Sequence, residues 1–227
     1  MLLQKIHPVD GGLIYAETDL TKLFPEPFNM ISAAFFVVMA IYWIKKLNGF
    51  SKNHIVLSIG TYILLIGSIG GTIYHGFRLH SFFILMDWLP ILILCTLMTV
   101  YFWAKVLGNW VYAIAVITFF VTIEFVVYKA LSSTNINLAN NVNYAMIVVS
   151  ALLPLTLFLA RTKFIYGEWI LIALGLFGIA LFFRIADPWK LLLTGTHFLW
   201  HTLGVFATHA TFIYLYKVKQ WQVVIED

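Results

Sequence analysis

Two histidines stand four residues apart in Gly195-Thr196-His197-Phe198-Leu199-Trp200-His201, inside the last strongly apolar stretch of the chain. On a helix that spacing puts both imidazoles on one face, one turn apart and within about 6 Å. An imidazole among apolar neighbours needs a metal, a carboxylate or a backbone carbonyl as partner. A third histidine, His75, stands near the end of an earlier apolar stretch. Three neutral imidazoles with one open position are the usual ligand set of a catalytic zinc ion, which makes hydroxide available near neutral pH. Asp87, early in the following stretch, is placed to take a proton from water and return it to a leaving group. Ser68, Thr72 and His75 share a helix face by their spacings of four and three, so Thr72 is the nearest hydroxyl to such a centre.

Each residue also has a plainer reading. A lone His75 is more often a helix-packing residue, and a His-x-x-x-His pair also serves heme and proton-relay sites. His7 and His54 read as surface residues, and His209 as a helix-to-helix hydrogen-bonder. Cys95 is the single cysteine, which excludes an intrachain disulfide and any multi-cysteine metal or iron–sulfur site.

The elements that position these groups follow from composition. Of 227 residues, 62% are hydrophobic and 11% charged, with a mean hydropathy of +0.92, whereas soluble chains are about 45–50% apolar and about 25% charged. Seven apolar spans are expected, at about 28–44, 55–76, 82–104, 109–128, 142–160, 165–185 and 191–216. They imply an all-α membrane protein, a seven-transmembrane-helix bundle forming one domain, with a polar segment over 1–25. The start lacks the apolar core of a signal peptide. The net charge of +4 has no basic cluster interleaved with aromatics, so the expected surroundings are the lipid bilayer rather than nucleic acid. The lysine and arginine bias of the loops favours an external N-terminus and a cytoplasmic C-terminus, in a cell (inner) membrane.

Alternating span direction brings the end of span two (His75) to the depth of the starts of spans one (Glu26, Asn29, Ser32), three (Asp87) and seven (His197, His201). These polar positions from four spans therefore meet near one surface, an arrangement that scattered polar residues would not produce. Gly67-Ser68-Ile69-Gly70-Gly71 reads as a close helix-packing face.

Four segments in order, Glu26-Pro27-Phe28-Asn29-Met30-Ile31-Ser32, Gly67 through His75, Asp87-Trp88-Leu89-Pro90-Ile91 and His197-Phe198-Leu199-Trp200-His201, resemble the motifs of the alkaline ceramidases. These are seven-span zinc hydrolases of the CREST superfamily, which also includes the adiponectin and progestin receptors. The resemblance covers essentially the whole chain and suggests a compact bacterial member. It implies His75, His197 and His201 as zinc ligands, Asp87 as catalytic acid/base, and ceramide or another N-acyl membrane lipid as substrate. An acidic N-terminal segment in eukaryotic members binds calcium, and Glu17, Asp19 and Glu26 match part of it. Two features depart from the family. The position four before the span-two histidine, usually serine, is Gly71, so that Thr72 or Ser68 must substitute or the role is vacant. Asp87 also follows His75 by twelve residues, about one more than in the eukaryotic enzymes.

The expected function is hydrolysis of a lipid amide, ceramide to sphingoid base plus fatty acid. The rival expectations are a receptor-like or lipid-sensing protein with a structural zinc, and a heme-binding electron carrier.

Overall fold

The computed structural model describes residues 8–132 and 134–226, so His7 lies outside the described residues. Those residues are all-helical, with seven long helices: α1 (Pro27–Lys46), α2 (Ile55–Phe77), α3 (Ser81–Leu107), α4 (Trp110–Ser132), α5 (Ile136–Arg161), α6 (Gly167–Ala186) and α7 (His197–Glu226). Short 3-10 turns occupy Lys52–His54 and Asp187–Trp189. Among the described residues five stretches are long and apolar enough to cross a membrane: Pro27–Lys46, Lys52–Phe77, Ser81–Leu107, Trp110–Ser132 and Gly167–Trp189.

The other two expected spans differ for identifiable reasons. The polar stretch from Ser132 to Asn143, expected as a loop, enters α5 at Ile136. Asn135 caps it by accepting the amide hydrogen of Leu138 at 3.0 Å, and an asparagine in that position is among the best helix starters. The Asn-rich beginning leaves Ala145–Arg161 as a shorter apolar helix. The last span, expected from 191, becomes helical only at His197. Before it, Lys190 (φ 51°) and Gly195 (φ 72°) adopt left-handed backbone that interrupts a right-handed helix.

The described residues group into two compact units. One comprises Met1–Ile93 and Tyr166–Asp227, where α1 packs on α2 and α7, and α6 packs on α7. Trp43 of α1, fully buried, donates from its indole to His209 Nδ1 of α7 at 3.1 Å. His54, expected at the surface, is half-buried and stacks on Tyr216 with ring centroids 4.8 Å apart. The glycines of α2 are a close packing face, as their spacing suggests: Pro90 and Met86 of α3 lie directly against Gly67 and Gly70. In the second unit, Leu94–Ile165, α4 packs on α5, and Arg161 donates to the Val106 carbonyl.

The start of α1 is fixed by the segment before it. Pro27 opens the helix, where its missing N–H is no loss. The Glu17 carboxylate accepts the amide hydrogens of Phe28 at 2.5 Å and Asn29 at 3.0 Å, satisfying two of the first-turn donors from eleven and twelve residues upstream.

Candidate metal centre

His75, in the last turn of α2, and His197 and His201, in the first two turns of α7, come together within the first unit. Each offers one ring nitrogen, and these atoms lie within 4.8 Å of one another. The ring centroids are 4.7 to 5.4 Å apart. All three side chains are buried, His75 completely. Among the described residues this is the one group of three or more such side chains close enough to share an ion.

The hydrogen bonds leave the imidazoles in a state suited to a cation. His75 Nδ1 lies 2.5 Å from Glu26 Oε2. A carboxylate only accepts, so Nδ1 carries the proton and Nε2 presents its lone pair. That Nε2 is buried with no hydrogen-bond partner. His201 Nδ1 lies 3.2 Å from the Asn29 carbonyl and 3.0 Å from Ser32 Oγ, which itself donates to that carbonyl. Its Nδ1 therefore donates too, and its Nε2 is the free base. His197 has a buried Nδ1 with no partner. Buried polar atoms are nearly always paired, so two orphan nitrogens in one cluster fit a bound metal.

Carboxylates hold this constellation from behind, the usual support of ligating histidines. Glu26 accepts from Thr18 Oγ1 at 2.6 Å and from the Arg78 guanidinium as well as from His75. Burial pushes the Glu26 carboxyl up, but the bond from His75, followed by Thr18 and Arg78, outweighs burial and holds it below its ordinary value. Asp187, ahead of α7, accepts the amide hydrogens of Thr196 at 2.8 Å and His197 at 3.0 Å on one oxygen, and that of Ala16 at 2.9 Å on the other. Gly195 is required in this turn: besides its positive φ, a methyl group there would overlap Asp187 Oδ1 and meet Ala16 Cβ at 2.6 Å. Tyr15 lies over the histidines, its ring centroid 4.0 Å from that of His197 and 5.4 Å from that of His75.

Asp87, in the second turn of α3, stands against Gly71 of α2, four residues before His75, and makes no hydrogen bond to another described residue. It stands beside the cluster, close enough to His75 to interact electrostatically. The two expected hydroxyls are turned elsewhere. Thr72 Oγ1 donates to the Ser68 carbonyl at 2.7 Å and Ser68 Oγ to the Leu65 carbonyl at 3.0 Å, both within α2. The hydroxyl that reaches a site histidine is that of Ser32.

The acidic residues suggested for calcium each have partners of their own, and Glu17 and Glu26 lie near enough to interact, both touching Asn29. Glu17 caps α1, with burial raising its carboxyl above the ordinary value. Asp19 is at the surface, bonded to Thr21 at 2.7 Å and paired with Lys22 at 3.3 Å. Glu26 is occupied by His75, Thr18 and Arg78. Their carboxylates form no shared cluster.

Sequence reasoning missed Tyr15, Asp10, Arg78 and Asp187. Arg78 had one signal, its position three residues after His75, which returns a side chain to the same helix face. Asp187 had another, an acidic residue ahead of a helix start.

No protein-family model matches the chain, and no curated protein matches it. Fold and site together define, among the described residues, an all-α architecture with five membrane-length apolar helices and a buried three-histidine cluster.

Proposed function

We propose that the chain is an intramembrane zinc-dependent hydrolase of lipid amides, with ceramide as the substrate class. In this reading all seven helices span the cell membrane, with the N-terminus external and the C-terminus cytoplasmic. The observation that carries it is the convergence of three buried imidazoles, two with orphan nitrogens. Charge supports it independently. Among the described residues three carboxylates are buried, Asp10, Glu26 and Asp187, against one buried guanidinium, Arg78, which pairs with the first two, and unbalanced buried charge is costly unless a cation compensates it. The resemblance to the alkaline ceramidases supplies the substrate class.

His75, His197 and His201 would hold the zinc. When bound, zinc lowers the pKa of water toward about 7 and polarises a carbonyl. The surrounding residues do the rest. Glu26 and the Asn29 carbonyl keep the Nδ1 atoms of His75 and His201 protonated, so that their Nε2 atoms face the cluster. Asp87, beside the cluster, accepts the proton of the attacking water and delivers it to the departing amine nitrogen. The products are the amine and the fatty carboxylate.

Purified protein is expected to carry about one zinc per chain and to turn over ceramide or a shorter N-acyl amide. His197→Ala is expected to remove both properties. Full zinc occupancy in the triple variant His75→Ala/His197→Ala/His201→Ala would overturn the ligand assignment. The inward-turned Ser68 and Thr72 hydroxyls favour a second reading, a lipid sensor with a structural zinc. Zinc without turnover of any N-acyl lipid would select it.

A further inference from the structure

We infer that Arg78 is a positioning residue for the metal centre, the fixed cation that aims Glu26 at His75 and ties residues 10–18 down beside the histidines. The inference rests on the metal reading above.

The geometry is that of a clamp. Arg78 ends α2 in left-handed backbone, φ 53° and ψ 36°, a conformation that is costly for a residue with a Cβ. The turn sends its side chain back beneath the last helical turn, where it is 2% exposed. Nε and Nη2 form a two-pronged contact with Asp10, at 2.7 Å to Oδ2 and 3.1 Å to Oδ1. Nη1 donates to Glu26 Oε1, and the Tyr74 ring covers the guanidinium at 4.8 Å. The other Glu26 oxygen holds His75 Nδ1. One rigid fork therefore serves two carboxylates at once, which the single point charge of lysine cannot reproduce.

Both ends of the chain of contacts matter. At one end, removing Arg78 leaves Asp10 and Glu26 buried without their counter-charge, and Glu26 Oε1 keeps only Thr18 of the two donors that hold its rotamer against His75. Loss of such an outer partner typically weakens metal binding by about 10–100-fold. At the other end, Asp10 begins the strap. Gly12 N–H bonds Asp10 Oδ1 at 2.8 Å, Tyr15 covers the rings, and Ala16 N–H reaches Asp187. The Arg78–Asp10, Ala16–Asp187 and Thr18–Glu26 contacts fasten this strap.

The test uses the full chain in detergent micelles, comparing wild type with Arg78→Lys, Arg78→Gln and Asp10→Asn. Two quantities are read on the folded fraction: the rate at which zinc passes to an excess of chelator, and the rate of protease cleavage within residues 10–18. Arg78→Lys is expected to release zinc about 10-fold faster and Arg78→Gln up to about 100-fold faster, both with faster strap cleavage. Asp10→Asn keeps the Arg78–Glu26 contact, so it is expected to speed cleavage more than zinc release. If Arg78→Gln does not fold, Arg78→Lys carries the test. A purely structural Arg78 would lower the melting temperature and leave zinc release from folded protein unchanged. That result, with wild type holding zinc, overturns the inference alone. A wild type that neither carries nor takes up zinc overturns the metal reading and this inference with it.

Discussion

Gly71 of α2 and Asp87 of α3 share one space: a methyl group at position 71 would overlap the Asp87 carboxylate oxygen Oδ1. The Asp87 carboxylate thus occupies the room that a side chain at position 71 would need. The same contact sets Asp87 one helical turn from His75, on the neighbouring helix.

Gly71→Ser therefore displaces Asp87. A shift of about 1 Å in a group that moves protons costs about 100-fold in rate, while zinc content is expected to stay unchanged because no ligand is touched. Turnover and metal analysis on one preparation check this. A Gly71→Ser protein as active as wild type would remove Asp87 from the proton-transfer role.

Asp187 couples the start of α7 to the N-terminal segment through both its oxygens. In Asp187→Asn one of these oxygens becomes an amino group, which cannot accept. Turned one way, the amide orphans the buried N–H groups of Thr196 and His197, at a cost of about 1–3 kcal/mol, and turned the other way it orphans the half-buried N–H of Ala16, at a smaller cost. Thermal unfolding in detergent should show the loss. If the amide keeps its oxygen on the α7 side, the Ala16 bond breaks and cleavage near residues 12–18 accelerates. Unchanged stability would mean that Asp187 is not the cap of α7.

How far the site was legible follows the same division between periodic and irregular chain. His75, Asp87, His197 and His201 were readable because each falls within two turns of a helix end, and helix ends follow from hydropathy. The glycine face of α2 was readable from its spacing. Ser68 and Thr72 share a face with His75 as expected, yet their hydroxyls bond back to carbonyls three and four residues earlier, the habit of such side chains in apolar helices. Spacing gives the face of a residue but not its rotamer. Tyr15, Asp10 and Asp187 lie in irregular segments, whose paths are set by tertiary hydrogen bonds that no local pattern reports. Arg78 follows the last turn of α2, and its burial depends on its own left-handed backbone, which no periodic pattern reports. The start of α5 was misplaced because asparagines that suit a loop also suit a helix cap.

Trp43→Phe tests whether stability away from the cluster can be separated from the metal. The variant loses the indole bond to His209 and part of a fully buried ring. A loss of about 1–3 kcal/mol is expected from the unpaired imidazole and the cavity together. Zinc content should not change, since His209 lies two turns beyond His201. A zinc-free Trp43→Phe protein that is still folded would extend the metal centre down α7.

Removing the metal tests the charge argument directly. Without a cation, Asp10, Glu26 and Asp187 outweigh Arg78, and the His75 Nε2 and His197 Nδ1 atoms remain buried without partners. Zinc bound to the folded chain alone, at about a thousand times its Kd, contributes about 4 kcal/mol. Chelation is therefore expected to lower the melting temperature, and added zinc to restore it. The restoration should be absent in His75→Ala/His197→Ala/His201→Ala. Magnesium should not substitute, because it favours octahedral oxygen ligands over imidazoles. A chelated protein that melts at the wild-type temperature would show that the buried carboxylates are balanced by something other than an ion at the histidines.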